Sequence, residues 1–238
     1  MGLHCAGFDV TGVDINPQPH YPFRFVHADA TAPPFALDSF DFVWASPPCQ
    51  AFSVLRHLTA SQAASANRPA REYPNLIPQV RAMLAASGVP YAIENVERAP
   101  LDGPNVILLC GTMFGLRTRD GSALLRRHRK FETSFQIPLR PQCNHRRKSL
   151  TVISICGYGS PRVWDSCRDL RQRDKFITVT GNTPQRQVKY NSVRETYSIH
   201  DARAAMGIDW LPMRWLSQAV PPAYSEFIGR EALRSMAR

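Results

Sequence analysis

Cys49 stands behind two prolines, in Pro47-Pro48-Cys49-Gln50, directly after the apolar run from Phe40 to Ala45. The prolines fix φ and remove two amide donors, so the backbone entering the cysteine is stiff and can present sulfur beyond a strand end. A thiolate held this way is a nucleophile; the same cysteine packed into a core is a small, inert hydrophobe. Glu94-Asn95-Val96 follows the next apolar run, Tyr91-Ala92-Ile93. A carboxyl there can act as an acid or hydrogen-bond partner, or can be an ordinary surface or capping group. Arg127-His128-Arg129 leads into Lys130-Phe131. Its guanidinium groups suit a carboxylate or carbonyl partner, although Arg-x-Arg occurs in any basic stretch. Asp14 in Val13-Asp14-Ile15-Asn16 and Asp29 in His27-Ala28-Asp29-Ala30 close two earlier apolar runs, where each is either a ligand contact or a capped loop.

Taken together, Pro47-Pro48-Cys49-Gln50-x-Phe52-Ser53 resembles the signature of the DNA (cytosine-5) methyltransferases, and Glu94-Asn95-Val96 resembles that family's second catalytic motif. Arg127-x-Arg129 resembles its Arg-x-Arg motif, and Gln218-Ala219-Val220-Pro221-Pro222 its final motif. The four occur in the family's order, over residues 1–131 and 191–238. Residues 132–190 match only by position, where the family keeps its target-recognition segment. The resemblance is to a short form of the kind that suits a phage, a mobile element or a restriction-modification system.

This resemblance implies transfer of a methyl group from S-adenosylmethionine to carbon 5 of a cytosine flipped out of double-stranded DNA. Cys49 would add to carbon 6 and turn the ring into an enamine. Glu94 would hydrogen-bond or protonate N3, and Arg127 and Arg129 would orient Glu94 and the base carbonyl. Pro48, Gln50, Ser53 and Asn95 would support the cysteine, Asn95 by fixing its loop. On the cofactor side, the resemblance assigns Asp14 to the ribose and Asp29 to the adenine amino group, with Ile15, Ala30, Pro47, Ala219 and Val220 as further contacts. No resident metal is implied. The family's first strand and Phe-x-Gly-x-Gly-Gly loop have no counterpart, because Met1 to Phe8 resembles the helix and turn that follow them. The expectation is a start upstream of Met1 or a truncated form. Two rivals share the same residues: a transfer RNA cytosine-5 methyltransferase, and a non-enzymatic nucleic-acid-binding remnant.

The bulk properties agree with a nucleic-acid partner. A formal net charge of +10 on 238 residues favours a polyanion. The charge is concentrated: Arg126, Arg127, Arg129, Lys130, Arg140, Arg146, Arg147 and Lys148 fall in one stretch. At 44% hydrophobic and 20% charged residues, the chain can bury a core without disulfides or metals. No basic segment leads into an apolar run at the N-terminus, and no window holds about 18 consecutive apolar residues. A monomer in the cytoplasm of a bacterial or phage-infected cell is therefore expected, with reduced cysteines. Cys143-x-His145 with Cys156 and Cys167 offers metal-ligand types but no regular paired spacing, which argues against a zinc module.

Positioning these residues calls for an α/β fold, a Rossmann-like doubly wound sheet of the methyltransferase type with a small β-rich lobe. The runs Phe8–Ile15, Phe23–Val26, Phe40–Ala45 and Tyr91–Ile93 read as strands, and residues 74–87 as a helix with Leu76, Val80, Met83 and Leu84 on one face and a stop at Gly88. Residues 53–71 read as a poor helix or a functional loop following the cysteine. Residues 1–131 are assigned to the catalytic core, 132–190 to the lobe and 191–238 to a return into the core. In that return, Ser198 with Asp201 marks a helix start and Gly207 its end; Pro222 opens a last helix with Tyr224, Phe227, Ile228 and Leu233 facing inward.

Overall fold

The structure, a computed structural model, describes residues 1–53, 73–139, 141–143, 151–155, 163–164, 175–179, 188–190, 193–195 and 198–237. All but its first residue, the loop expected over residues 53–71 lies outside this set. The helices are α1 (Gly2–Ala6), α2 (Ile77–Ser87), α3 (Ile199–Met206), α4 (Met213–Leu216) and α5 (Pro222–Met236). The first strands are β1 (Thr11–Asp14), β2 (Arg24–His27), β3 (Val43–Ala45), β4 (Tyr91–Asn95), β5 (Val106–Leu109), β6 (Ala123–Leu125) and β7 (Arg129–Thr133). They are followed by β8 (Thr151–Ile155), β9 (Val163–Trp164), β10 (Lys175–Val179), β11 (Val188–Tyr190) and β12 (Val193–Glu195). Among the described residues, no helix is long and apolar enough to cross a membrane.

The chain forms two compact units. One comprises Met1–Val10, Leu109–His128 and Pro141–Gly229; the other comprises Thr11–Leu108, Arg129–Arg140 and Arg230–Arg238. In the second unit β1 and β2 pair in parallel, and a separate sheet has the order β3-β4-β7-β5. There β3 and β4 are parallel, linked through α2, while β7 enters antiparallel to β4. Helix α2 exists because Ile77, Val80 and Leu84 recur at helical spacing and bury against Ile93, Ala99 and Leu101, with Leu76 and Met83 partly covered beside them. It ends where sequence demands: Gly88 takes the left-handed conformation at φ 70°, and Pro90 follows.

In the first unit β10 lies between β6 and β8, parallel to both, and β9 is antiparallel to β8. Ile177 and Val179 of β10 pack with Ala123 and Leu125 of β6 and with Ala202, Ala205 and Met206 of α3. The Ser198–Asp201 capping box forms as expected, Ser198 accepting from the amides of His200 and Asp201 while Asp201 accepts from the Ser198 amide. Helix α5 departs from expectation at one position. Tyr224 and Ile228 are fully buried, but Leu233 is 40% exposed. Five residues beyond Ile228, it has rotated off the face that Glu231 and Ala232 continue.

One ionic cluster locks β7 to α2. Arg81 of α2 grips Glu132 of β7 with two hydrogen bonds, Nε to Oε1 at 2.7 Å and Nη2 to Oε2 at 2.8 Å. Its Nη2 also reaches the Pro100 carbonyl and Asp102, and the Gly103 amide donates to Glu132 Oε2 at 3.1 Å. A Cβ at Gly103 would lie 2.7 Å from the Glu132 carboxyl carbon, so a larger residue there would displace the clamped carboxylate. Burial pushes the Glu132 pKa up, but the hydrogen bonds from Arg81 and Gly103 outweigh it and hold the carboxyl below its ordinary value. The stabilisation is thus present above the unfolded carboxyl pKa and is lost as pH falls through the depressed folded value. Glu132→Gln should cost about 1.5–3 kcal/mol at neutral pH, with the cost shrinking toward the acid limb. Urea denaturation across pH checks this; a cost that stays constant into acid would contradict it.

Candidate active site

The register of β4 against β7 builds the ionic part of the site. Ala92 stands opposite Thr133, Ile93 opposite Glu132, Glu94 opposite Phe131 and Asn95 opposite Lys130. Side chains on one face of an antiparallel pair meet their diagonal neighbours two residues away, which makes Arg129 the diagonal neighbour of Glu94. Arg129 Nε lies 3.0 Å from Glu94 Oε1, and both side chains are largely buried. Phe131, directly opposite Glu94, packs at a tilt against Trp44 of β3, with ring centroids 5.5 Å apart. Sequence alone suggests Glu94 and Asn95 follow the strand; the structure includes both within β4, because the incoming β7 extends the ladder to them.

Asn95 points to the opposite face and holds the cysteine's loop. Val43 pairs with Tyr91 and Ala45 with Ile93, so continuing that parallel register brings Pro47 beside Asn95. Neither Pro47 nor Pro48 has an amide hydrogen to extend the ladder. The Asn95 side chain bonds in its place, Nδ2 donating to the Pro47 carbonyl at 2.9 Å in a buried setting, while Oδ1 accepts from the Val96 amide. Cys49 follows as a half-buried thiol, and its carbonyl accepts from the Phe52 amide to close a tight turn. Pro47 is buried, Pro48 and Gln50 are exposed, and Ser53 is half-buried. Cys49, Glu94, Asn95 and Arg129 all belong to the second unit.

Arg127 belongs to the first unit, where it is buried among main-chain acceptors. Its Nη1 donates to the Val179 carbonyl, and its Nη2 to the carbonyls of Ser217 and Ala219, each at 2.8 Å. The guanidinium thereby joins the end of β10 to the Gln218–Val220 turn ahead of α5. Tyr224 of α5 returns the contact, its hydroxyl donating to the Arg127 carbonyl at 2.6 Å. Sequence reasoning assigns Tyr224 only to the inward face of a helix; the partner that fixes its hydroxyl is 97 residues away and leaves no local pattern. Lys130 is a second such case, its Nζ donating to the Ala99 carbonyl at 3.1 Å.

Asp14 and Asp29 stand at the carboxyl ends of the adjacent parallel strands β1 and β2. Asp14 is half-buried: Oδ1 accepts from the Asn16 amide at 2.7 Å and Oδ2 from Gln18 Nε2 at 3.0 Å. Asp29 is exposed, and Oδ1 accepts from both the amide and the hydroxyl of Thr31. Those bonds from Thr31 hold its carboxyl below the ordinary aspartate value. Ile15, between them in sequence, is 64% exposed. Ala30 is exposed as well, and Ala219 and Val220 are half-buried in the first unit. No family model matches the chain, and no curated protein matches it.

Asn95→Ala should remove the brace on Pro47 and leave a buried carbonyl without that donor, costing about 1–3 kcal/mol. The loop would also loosen, so iodoacetamide should alkylate Cys49 faster than in the parent protein, as read by peptide mass mapping. Unchanged stability together with an unchanged alkylation rate would show that Asn95 does not hold the loop.

Proposed function

We propose that this chain is the catalytic core of a DNA cytosine-5 methyltransferase, built on a doubly wound α/β framework, with Cys49 as its nucleophile. The observation that carries this conclusion is the arrangement at the end of β4. Glu94 is paired with Arg129 on one face, and the next residue, Asn95, holds the Pro-Pro-Cys loop on the other. One strand end thus governs both an acid group and a nucleophile.

The Cys49 thiolate forms a bond to carbon 6 of a flipped cytosine, and the displaced ring electrons move toward N3, where Glu94 donates a hydrogen bond or proton. Arg129 keeps the Glu94 carboxyl oriented, and a planar guanidinium does this better than an ammonium. Once carbon 5 carries its methyl group, loss of the carbon 5 proton to a base restores the double bond. The same step breaks the carbon–sulfur bond and releases the Cys49 thiolate. Arg127 serves as a brace within the first unit, through its three carbonyl partners.

The carboxyl ends of β1 and β2 fit the adenosine portion of S-adenosylmethionine. They combine two carboxylates, Asp14 and Asp29, with the exposed apolar surface of Ile15, the acceptor and stacking chemistry that a ribose and a purine require. Pro47 and Ala30, of the same unit, are assigned as further contacts. When bound, this cofactor supplies a methyl group activated by a sulfonium. The net charge of +10 suits a DNA partner, and the base must leave the duplex to reach a thiol. We assign the protein to the cytoplasm as a monomer.

The test is incubation of the full chain with labelled S-adenosylmethionine and either double-stranded DNA or transfer RNA, followed by nucleoside analysis. Label in DNA as 5-methylcytosine is expected. Cys49→Ser should abolish it, and Glu94→Gln should slow it by about 10²–10⁴-fold. Label in transfer RNA alone would replace the DNA assignment, and DNA binding without any label would identify a non-enzymatic binding protein.

A further inference from the structure

Cys110, His128 and Cys143 converge within the first unit from three separate segments: the residue after β5, the residue before β7, and the stretch that begins at Pro141. Their two Sγ atoms and one imidazole nitrogen all lie within 4.8 Å of one another. We propose that these three side chains form a metal site that holds a zinc ion.

The spacing matches the ion. Zinc bonds of about 2.3 Å to sulfur and about 2.0–2.1 Å to nitrogen at tetrahedral angles give a sulfur-to-nitrogen edge of about 3.6 Å and a sulfur-to-sulfur edge of about 3.8 Å. Cys143 Sγ lies 3.6 Å from His128 Nε2. The donor set is selective too. Two thiolates and an imidazole favour zinc over the hard cations magnesium and calcium, which take oxygen ligands. Two thiolates also balance the charge of a divalent ion. The surroundings supply the hydrogen bonds that orient such ligands. The amides of Thr112 and Arg127 both hydrogen-bond the Cys110 sulfur, and Thr112 Oγ1 lies 3.6 Å from Cys143 Sγ. Cys110 itself is fully buried, so the ion would sit against the interior of the unit rather than on its surface.

Three protein donors leave one position of the tetrahedron for water or a further ligand. The role is structural: the ion staples three segments whose separation along the chain gives no paired spacing. This set differs from the Cys143, His145, Cys156 and Cys167 group weighed on sequence alone. Only Cys143 is shared, and the other three lie outside the described residues. The site requires neither DNA nor S-adenosylmethionine, so its test is independent of the proposed activity.

The full chain, produced with zinc in the medium and purified without chelator, should carry about one zinc ion per molecule by elemental analysis. His128→Asn and Cys143→Ser should each lose most of it, and Cys5→Ser, which alters an exposed cysteine elsewhere, should retain it. A second measurement avoids dependence on variant folding. Cobalt(II) added to the metal-stripped parent protein should develop thiolate-to-cobalt charge-transfer absorption that zinc then displaces. A parent protein holding far less than one equivalent after zinc loading, or cobalt producing no thiolate band, would overturn the proposal. So would a Cys5→Ser variant that loses zinc as fully as Cys143→Ser.

Discussion

Ile93 faces Glu132 where β4 and β7 run antiparallel, and Arg81 on α2 clamps that glutamate from behind with two hydrogen bonds. A slip of one residue in this pairing would turn the alternate side chains of β7 to the wrong faces. The clamp opposes such a slip, because only in this register does Glu132 meet Arg81 on the helix side. On the other side, the same register sets Phe131 opposite Glu94 and Arg129 diagonally across from it. An ion pair on one face of the sheet therefore fixes the register that forms a second pair on the other. The loop bearing Cys49 depends on the same strand through Asn95.

Both pairs bury their carboxylate side chains. The Arg81–Glu132 cluster satisfies its carboxylate from several donors, and the side chain of Glu132 is only 3% exposed. Breaking such a group is costly because the remaining charge stays buried. Glu94 with Arg129 is also a buried pair, and removing one partner would be costly for the same reason. Glu94 differs in that the next residue along β4, Asn95, holds the loop bearing Cys49.

Much of the scaffold was legible in the sequence, and the reasons are local. Helix α2 follows from apolar spacing and Gly88, and α3 from the Ser198–Asp201 box and Gly207. The cores of β1 to β4 follow from short apolar runs. The contributions of Arg127 and Arg129 were not separable, because Arg-x-Arg shows two equivalent cations. Only the fold reveals that Arg127 is occupied by the carbonyls of Val179, Ser217 and Ala219 while Arg129 reaches Glu94. Leu233 looked like part of an inward face and is not, since helical rotation had carried it past. The convergence of Cys110, His128 and Cys143 was equally hidden, as no short spacing links residues from three different segments.

The proposed enzyme stands or falls on whether Cys49 bonds to a cytosine, and DNA containing 5-fluorocytosine reports this directly. Fluorine cannot leave carbon 5 as a proton does, so a methylated intermediate stays attached to the protein. The account predicts a covalent protein–DNA adduct that requires S-adenosylmethionine and maps by peptide mass analysis to the segment carrying Cys49. An adduct mapped to another residue, or none formed while the chain binds both DNA and cofactor, would contradict it.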